Sequence, residues 1–299
     1  MAPHADAASG GVATGIVDAP AHRRLGGAFV QRRGAAAINT FPHIQPLYAL
    51  SGLAVGLLVG LTGVGGGSLM TPLLVLVFGI HPSTAVGTDL LYAAATKTVG
   101  TGVHGFKGTV QWGIVGRLAM GSVPATAVTL WLLSLHARHG SPANGLITTT
   151  LGWALIVTAI AILFRKAIVG FFAAKSRGLS PIQTTGLTIL LGAALGVLVS
   201  LTSVGAGALG MTVLLILYPK MDIAKLVGSD IAHAVPLTLL AGLGHWMMGS
   251  VNWQLLVSLL AGSVPGIIIG SLLASRTPDG VLRAILAATL ALVGGKLLS

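Results

Sequence analysis

From about residue 45 onward, apolar residues come in long runs, and ionisable residues fall almost entirely between the runs. Between Arg33 and Lys97 the only Asp, Glu, Lys or Arg is Asp89. A hydrocarbon core about 30 Å thick takes roughly 20 apolar residues of helix. The pattern predicts helical spans over 84–105, 114–135 and 145–164, and again over 224–247, 255–274 and 281–298. Two further stretches are built differently. The run 47–79 would be a rod of roughly 50 Å, too long for one crossing, and Val64-Gly65-Gly66-Gly67 interrupts it. The run 182–204 is separated from 207–218 by Gly205-Ala206-Gly207 in the same manner. Each is predicted to be a pair of half-helices meeting inside the membrane.

The two broken stretches belong to a repeat. Residues 60–68 read GLTGVGGGS, and 200–208 read SLTSVGAGA. Val86-Gly87-Thr88-Asp89 answers Val227-Gly228-Ser229-Asp230. His104 answers His245, Trp112 answers Trp253, and Gly121-Ser122-Val123-Pro124 returns unchanged as Gly262-Ser263-Val264-Pro265. One single-residue gap near Gly79 keeps all of these in register. A duplicated apolar unit with glycine-broken helices is the sequence pattern of secondary transporters. The fold class is therefore an all-α polytopic membrane protein of two homologous repeats. Its predicted parts are a basic, disordered cytoplasmic tail (1–45), repeat 1 (46–168), a basic cytoplasmic linker (169–181) and repeat 2 (182–299).

Topology turns on how each broken stretch is counted. One crossing gives four spans per repeat and parallel repeats; a re-entrant or double crossing gives an odd number and inverted repeats. The arginines of the tail and the basic connector (Arg165, Lys166, Lys175, Arg177) both read as cytoplasmic. An even number of crossings follows, favouring four per repeat and eight in all. No apolar run of signal-peptide length directly follows Arg23-Arg24, so a secretory leader is not expected.

Composition narrows the function. Hydrophobic residues are 54% of the chain and charged residues 8%, where soluble domains carry roughly 25% charge. With no cysteine, disulfides and thiol chemistry are excluded. The net charge of +11 is spread over tail and loops, so no nucleic-acid partner is expected; the lipid bilayer is. No metal-ligand cluster or phosphate loop is spelled out, and no cofactor is called for. The expected locale is a membrane, crossed several times, with room for a homo-oligomer.

Candidate chemistry gathers at the breaks. Gly63, Gly65, Gly66 and Gly67 stand where a helix restarts, as do Gly205 and Gly207 in the second repeat. Free N–H groups at a helix start, with the positive end of the macrodipole, favour an anion, and Thr62, Ser68, Thr202 and Ser203 add hydroxyls. Close packing through small residues is the plainer reading of such glycines. Asp89 and Asp230 are ionisable groups at membrane depth, which marks function by default. They read as carriers of a coupling proton or as buried structural carboxyls. Lys97, whose repeat counterpart is Thr238, is a charge partner for an anion or a snorkelling lysine. His104 and His245 read as structural or as a proton relay. His233, one helical turn after Asp230, shares its face, where repeat 1 has Tyr92. Trp112 and Trp253 read as interfacial anchors, Pro124 and Pro265 as kinks.

Residues 60–72, GLTGVGGGSLMTP, followed by 81–89, HPSTAVGTD, resemble the TauE/SafE family of sulfite exporter-like permeases. The weaker second copy (201–209 and 227–230) resembles that family's internal duplication. The resemblance extends over about 47–298 and implies a bacterial inner-membrane permease for sulfur-containing anions such as sulfite or organosulfonates. Repeat 2 departs from the motif, with Ala206, Ala208 and Thr212 in place of Gly66, Ser68 and Pro72, so the two breaks contribute unequally. The leading function is a secondary carrier of such an anion, not an enzyme, with proton coupling as one version of it. Alternatives are a carrier of another small organic anion, a non-transporting scaffold, or an intramembrane enzyme, for which no nucleophile and base are paired by spacing.

Overall fold

A computed structural model of the chain describes residues 44–62, 67–106, 108–138, 143–176, 178–273 and 279–298. Gly63, Gly65 and Gly66, and nearly all of the 1–45 tail, lie outside them. The described residues form eleven α-helices and no strand: α1 (Pro46–Thr62), α2 (Gly67–Leu76), α3 (Pro82–Phe106), α4 (Trp112–Arg138), α5 (Ala143–Leu163), α6 (Arg165–Ser176), α7 (Pro181–Thr202), α8 (Ala208–Leu217), α9 (Ile223–Met247), α10 (Trp253–Leu273) and α11 (Asp279–Leu298). Stretches of α4, α5, α7, α9 and α10 are long and apolar enough to cross a membrane. Helix α3 matches them in length, but its threonines, Asp89 and Lys97 dilute its apolar character. Large apolar side chains such as Trp131, Trp153, Leu190 and Ile268 point outward, as a lipid-facing surface requires. This is a multi-pass helical membrane protein.

The predicted spans coincide with the helices to within a few residues. One element was not foreseen: the basic connector contains α6, twelve residues long, which packs against α8. Local chemistry sets the ends of α7. Ser180 caps it, Gln183 completes the capping box and Pro181 occupies the first turn, together satisfying free N–H groups there. At the other end Ser203 turns left-handed (φ 60°).

Small residues hold the helices together. Helices α1 and α10 meet through Gly52, Gly56, Gly262 and Gly266; a Cβ at Gly262 would land on the Ala49 carbonyl. Helices α4 and α7 meet likewise through Gly121, Gly192 and Gly196. Apolar side chains gain little by leaving lipid for one another, so close backbone approach supplies much of the association. The other principal pairs are α3 with α9 and α5 with α11. Several contacts of the first half of the chain have a counterpart in the second: α1–α10 with α7–α4, α3–α10 with α9–α4, and α2–α3 with α8–α9.

The register of these contacts fixes relative directions. Gly52 and Gly56 meet Leu259 and Ser263, so α1 and α10 run parallel; Leu118 and Ser122 meet Gly192 and Gly196, so α4 and α7 do too. In contrast, Gly100 meets Ile231, Gly242 meets Leu91 and Gly87 meets His245. Helices α3 and α9 are therefore antiparallel. The chain also reverses at the second break. Leu195 of α7 lies against Gly210 of α8, and Thr188 bonds the Tyr218 hydroxyl at 2.9 Å, so α8 folds back along α7. The second broken stretch therefore doubles back instead of running on in one direction.

Candidate functional site

The second break is built by three residues with positive φ: Ser203 at 60°, Gly205 at 118° and Gly207 at 138°. The two glycines reach conformations an L side chain resists. Ser203 N–H still closes on the Val199 carbonyl at 2.7 Å. Thr202 is spent on the turn, donating to Leu198 O at 2.7 Å and accepting from Val204 N–H at 3.1 Å. Helix α8 then starts at Ala208 with no side-chain cap. The N–H groups of Gly205, Ala206, Gly207 and Ala208 find no acceptor among the described residues. They leave a run of donors at the positive end of α8.

Three charged side chains converge on this break. Lys97 of α3 donates from Nζ to the Ala206 carbonyl at 3.4 Å, and Asp89 and Asp230 are the carboxylates buried around it. Asp89 and Lys97 are eight residues apart, about 12 Å along the axis, and do not bond directly. Helical side chains lean toward the N-terminus, which brings the long lysine back toward Asp89. Asp89 is 0% exposed, Asp230 4% and Lys97 8%, so little water screens them. Asp89 accepts from the Thr71 hydroxyl of α2 and faces Ser203. Yet Asp89 Oδ1, Asp230 Oδ1 and Ser203 Oγ each lack a hydrogen-bond partner. Asp230 presses on the first turn of α8: a Cβ on Gly210 would lie 2.7 Å from its Oδ1.

The histidines divide. His233 is buried and its Nε2 lies 2.9 Å from Ser122 Oγ, leaving Nδ1 unpartnered. His245 Nε2–H donates to the Ser200 carbonyl at 2.9 Å, bracing α9 against α7 near the break. His245 therefore lies beside the charge cluster as a brace, with Nδ1 again unpartnered. His104 is near the end of α3, its side chain outside the described residues. Thr62 ends α1, and Gly67 and Ser68 open α2; the turn between them is not described. Of the sequence candidates, the structure brings together Asp89, Asp230, Lys97, Ser203, Gly205 and Gly207, with His233 one turn from Asp230.

Several participants were not singled out from sequence. Thr71 holds Asp89, Gly210 admits Asp230, and Ala206 receives Lys97. Ser122 and Ser263 are partners in the repeated Gly-Ser-Val-Pro, which was read as a mark of the repeat and for its proline, not for its serine. Ser122 meets His233, and Ser263 faces Tyr92, the repeat counterpart of His233. The unchanged motif was the available signal. Trp112 and Trp253 stand exposed at the starts of α4 and α10, as interfacial residues do.

The family model described as sulfite exporter TauE/SafE matches residues 48–297. A probable membrane transporter protein of Bacillus subtilis, YjnA, is 40% identical over 83% of this chain and 98% of its own length. A second from the same organism, YdhB, is 30% identical over 82% of this chain and 96% of its own. A probable membrane transporter protein of Xylella fastidiosa is 28% identical over 72% and 79%. No solved structure matches.

Proposed function

This chain belongs to the sulfite exporter TauE/SafE family, and on that premise we propose that it carries small sulfur-containing anions, sulfite or organosulfonates among them, across a bacterial inner membrane. It is a membrane transporter and not an enzyme. The observation that carries the substrate reading is Lys97 placed on the uncapped start of α8. An ammonium and a run of free N–H groups in one dry place form an anion site. Gly205, Gly207 and Ser203 shape and line it; the first break, with Gly63, Gly65, Gly66, Gly67, Ser68 and Thr62, is its counterpart on the other half. Asp89 and Asp230, with His233 beside them, are the proton-coupling groups.

The architecture proposed is two homologous halves of inverted topology, 46–168 and 182–299, joined at 169–181. An axis relating antiparallel α3 and α9 lies in the membrane plane, which supports inversion over a parallel duplication. Anion sites then face each other near the midplane. Reconstitution tests the function: purified protein in proteoliposomes is expected to move sulfite or a short sulfonate down its gradient, and Lys97→Ala to stop it. Equal flux in the variant would remove the site, and no flux of any sulfur anion would remove the substrate class.

A further inference from the structure

Two buried carboxylates and one buried ammonium gather at the second break. Lys97 Nζ reaches the Ala206 carbonyl, Asp230 Oδ1 lies against Gly210 in the next turn of the same segment, and one oxygen of each carboxylate has no hydrogen-bond donor. The surroundings offer little else. From α3 the titratable groups facing the cluster are Asp89, Tyr92 and Lys97; from α9 they are Asp230, His233 and, spent on the Ser200 carbonyl, His245. His233 is already engaged with Ser122. Helices α2, α7, α8 and α10 contain no Asp, Glu, Lys, Arg or His at all. Arg165, at the start of α6, acts on Asp230 from a half-buried position, where water weakens it. With both acids ionised the cluster holds one negative charge in excess. Burying an unpaired charge costs several kcal/mol or more, and adding a substrate anion would double the excess.

We infer that Lys97 is the single counter-ion shared by Asp89 and Asp230, so that a monoanion drawn onto its ammonium is accompanied by one proton bound at one of those two carboxylates. The inference rests on the carrier reading for the anion, whereas the shared counter-ion stands without it. A hydronium ion on the side the site faces gives up the proton: its O–H bond breaks as one forms at Asp89 Oδ1 or Asp230 Oδ1, and a water molecule is left behind. The proton leaves with the anion on the far side. Anion and proton then cross as a neutral pair, and Lys97 returns to the carboxylates in the empty carrier.

Two measurements test this. The first needs no substrate: melting of the purified protein in detergent for Lys97→Met, Asp89→Asn, Asp230→Asn and both double variants with Lys97→Met. Removing one partner of a buried charge group costs about 3–5 kcal/mol, so Lys97→Met is expected to lower the melting temperature by roughly 5–15 °C. Adding either Asp→Asn is expected to recover most of that loss. If Lys97→Met yields no folded protein, recovery of folded protein in the double variants is the readout. Additive losses, or recovery by only one of the two, would overturn the shared counter-ion. The second uses sulfite as the probe, at a pH where the monoanion predominates. Uptake into proteoliposomes is expected to rise with an inward-directed proton gradient and to ignore a potassium-diffusion potential. Flux that follows the potential, or that requires sodium at constant pH, would overturn the neutral pair. No sulfite flux at all would count against the substrate class, while the melting series still decides the counter-ion.

Discussion

Helices α3 and α9 carry matching sequence, and they do different work. Both are 25 residues long, lie antiparallel against each other, and carry an aspartate after Val-Gly-Thr or Val-Gly-Ser. Both present a polar ring to the serine of a Gly-Ser-Val-Pro helix. Beyond that they part. Lys97 crosses to the second break, whereas its counterpart Thr238 turns back on its own helix, donating to Ala234 O at 2.8 Å. Asp89 is held by Thr71, whereas Asp230 sits against bare Gly210. What the halves share supports the frame; what they do not share places Lys97 at the second break.

The largest effect tests that placement directly. Lys97→Met is expected to cut sulfite flux in proteoliposomes on the order of 100-fold, the worth of a strong buried charge contact. Thr238→Val is expected to change it less than about twofold, since only a bond to a carbonyl of its own helix is lost. Comparable losses from both would erase the difference between the helices.

Next in size is the floor under the aspartates. Gly210→Val forces a side chain onto Asp230, and overpacking costs about 1–3 kcal/mol; both melting temperature and flux are expected to fall. Met70 is its counterpart in the first half, and Met70→Leu is expected to cost under about 1.5 kcal/mol. A harmless Gly210→Val would show that Asp230 is not confined there.

The shared frame should respond alike in both halves. Gly121→Ala and Gly262→Ala drive a Cβ into the backbone of α7 and of α1 respectively. Each is expected to lower stability by about 1–3 kcal/mol, read by thermal melting. Losses differing by more than about 1 kcal/mol would mean the two interfaces are not equivalent.

The smallest effect separates the serines. Ser122→Ala breaks a closed bond to His233 and is expected to cost about 1 kcal/mol. Ser263→Ala is expected to cost less, because the Tyr92 hydroxyl closes no hydrogen bond. The reverse order in melting would show that Tyr92, and not His233, is the clamped ring.

Much of this was legible along the chain. Apolar periodicity located nearly every helix because a membrane admits only backbone that satisfies itself. The breaks were legible because only glycine takes the φ values found at 205 and 207. Asp89, Asp230 and Lys97 were conspicuous because ionisable groups at that depth are rare. What sequence left undecided was direction and partnership. Whether α8 continues α7 or folds back depends on Gly210 admitting Leu195 and Asp230, a contact between residues far apart in the chain. That Lys97 serves both aspartates while reaching Ala206 depends on α3 crossing α9 antiparallel, which no spacing encodes. Local sequence determined where helices form and break, because those are contests among neighbouring backbone groups. Only the tertiary structure decided which charges share a site, because electrostatic energy depends on distance in space and on exclusion of water.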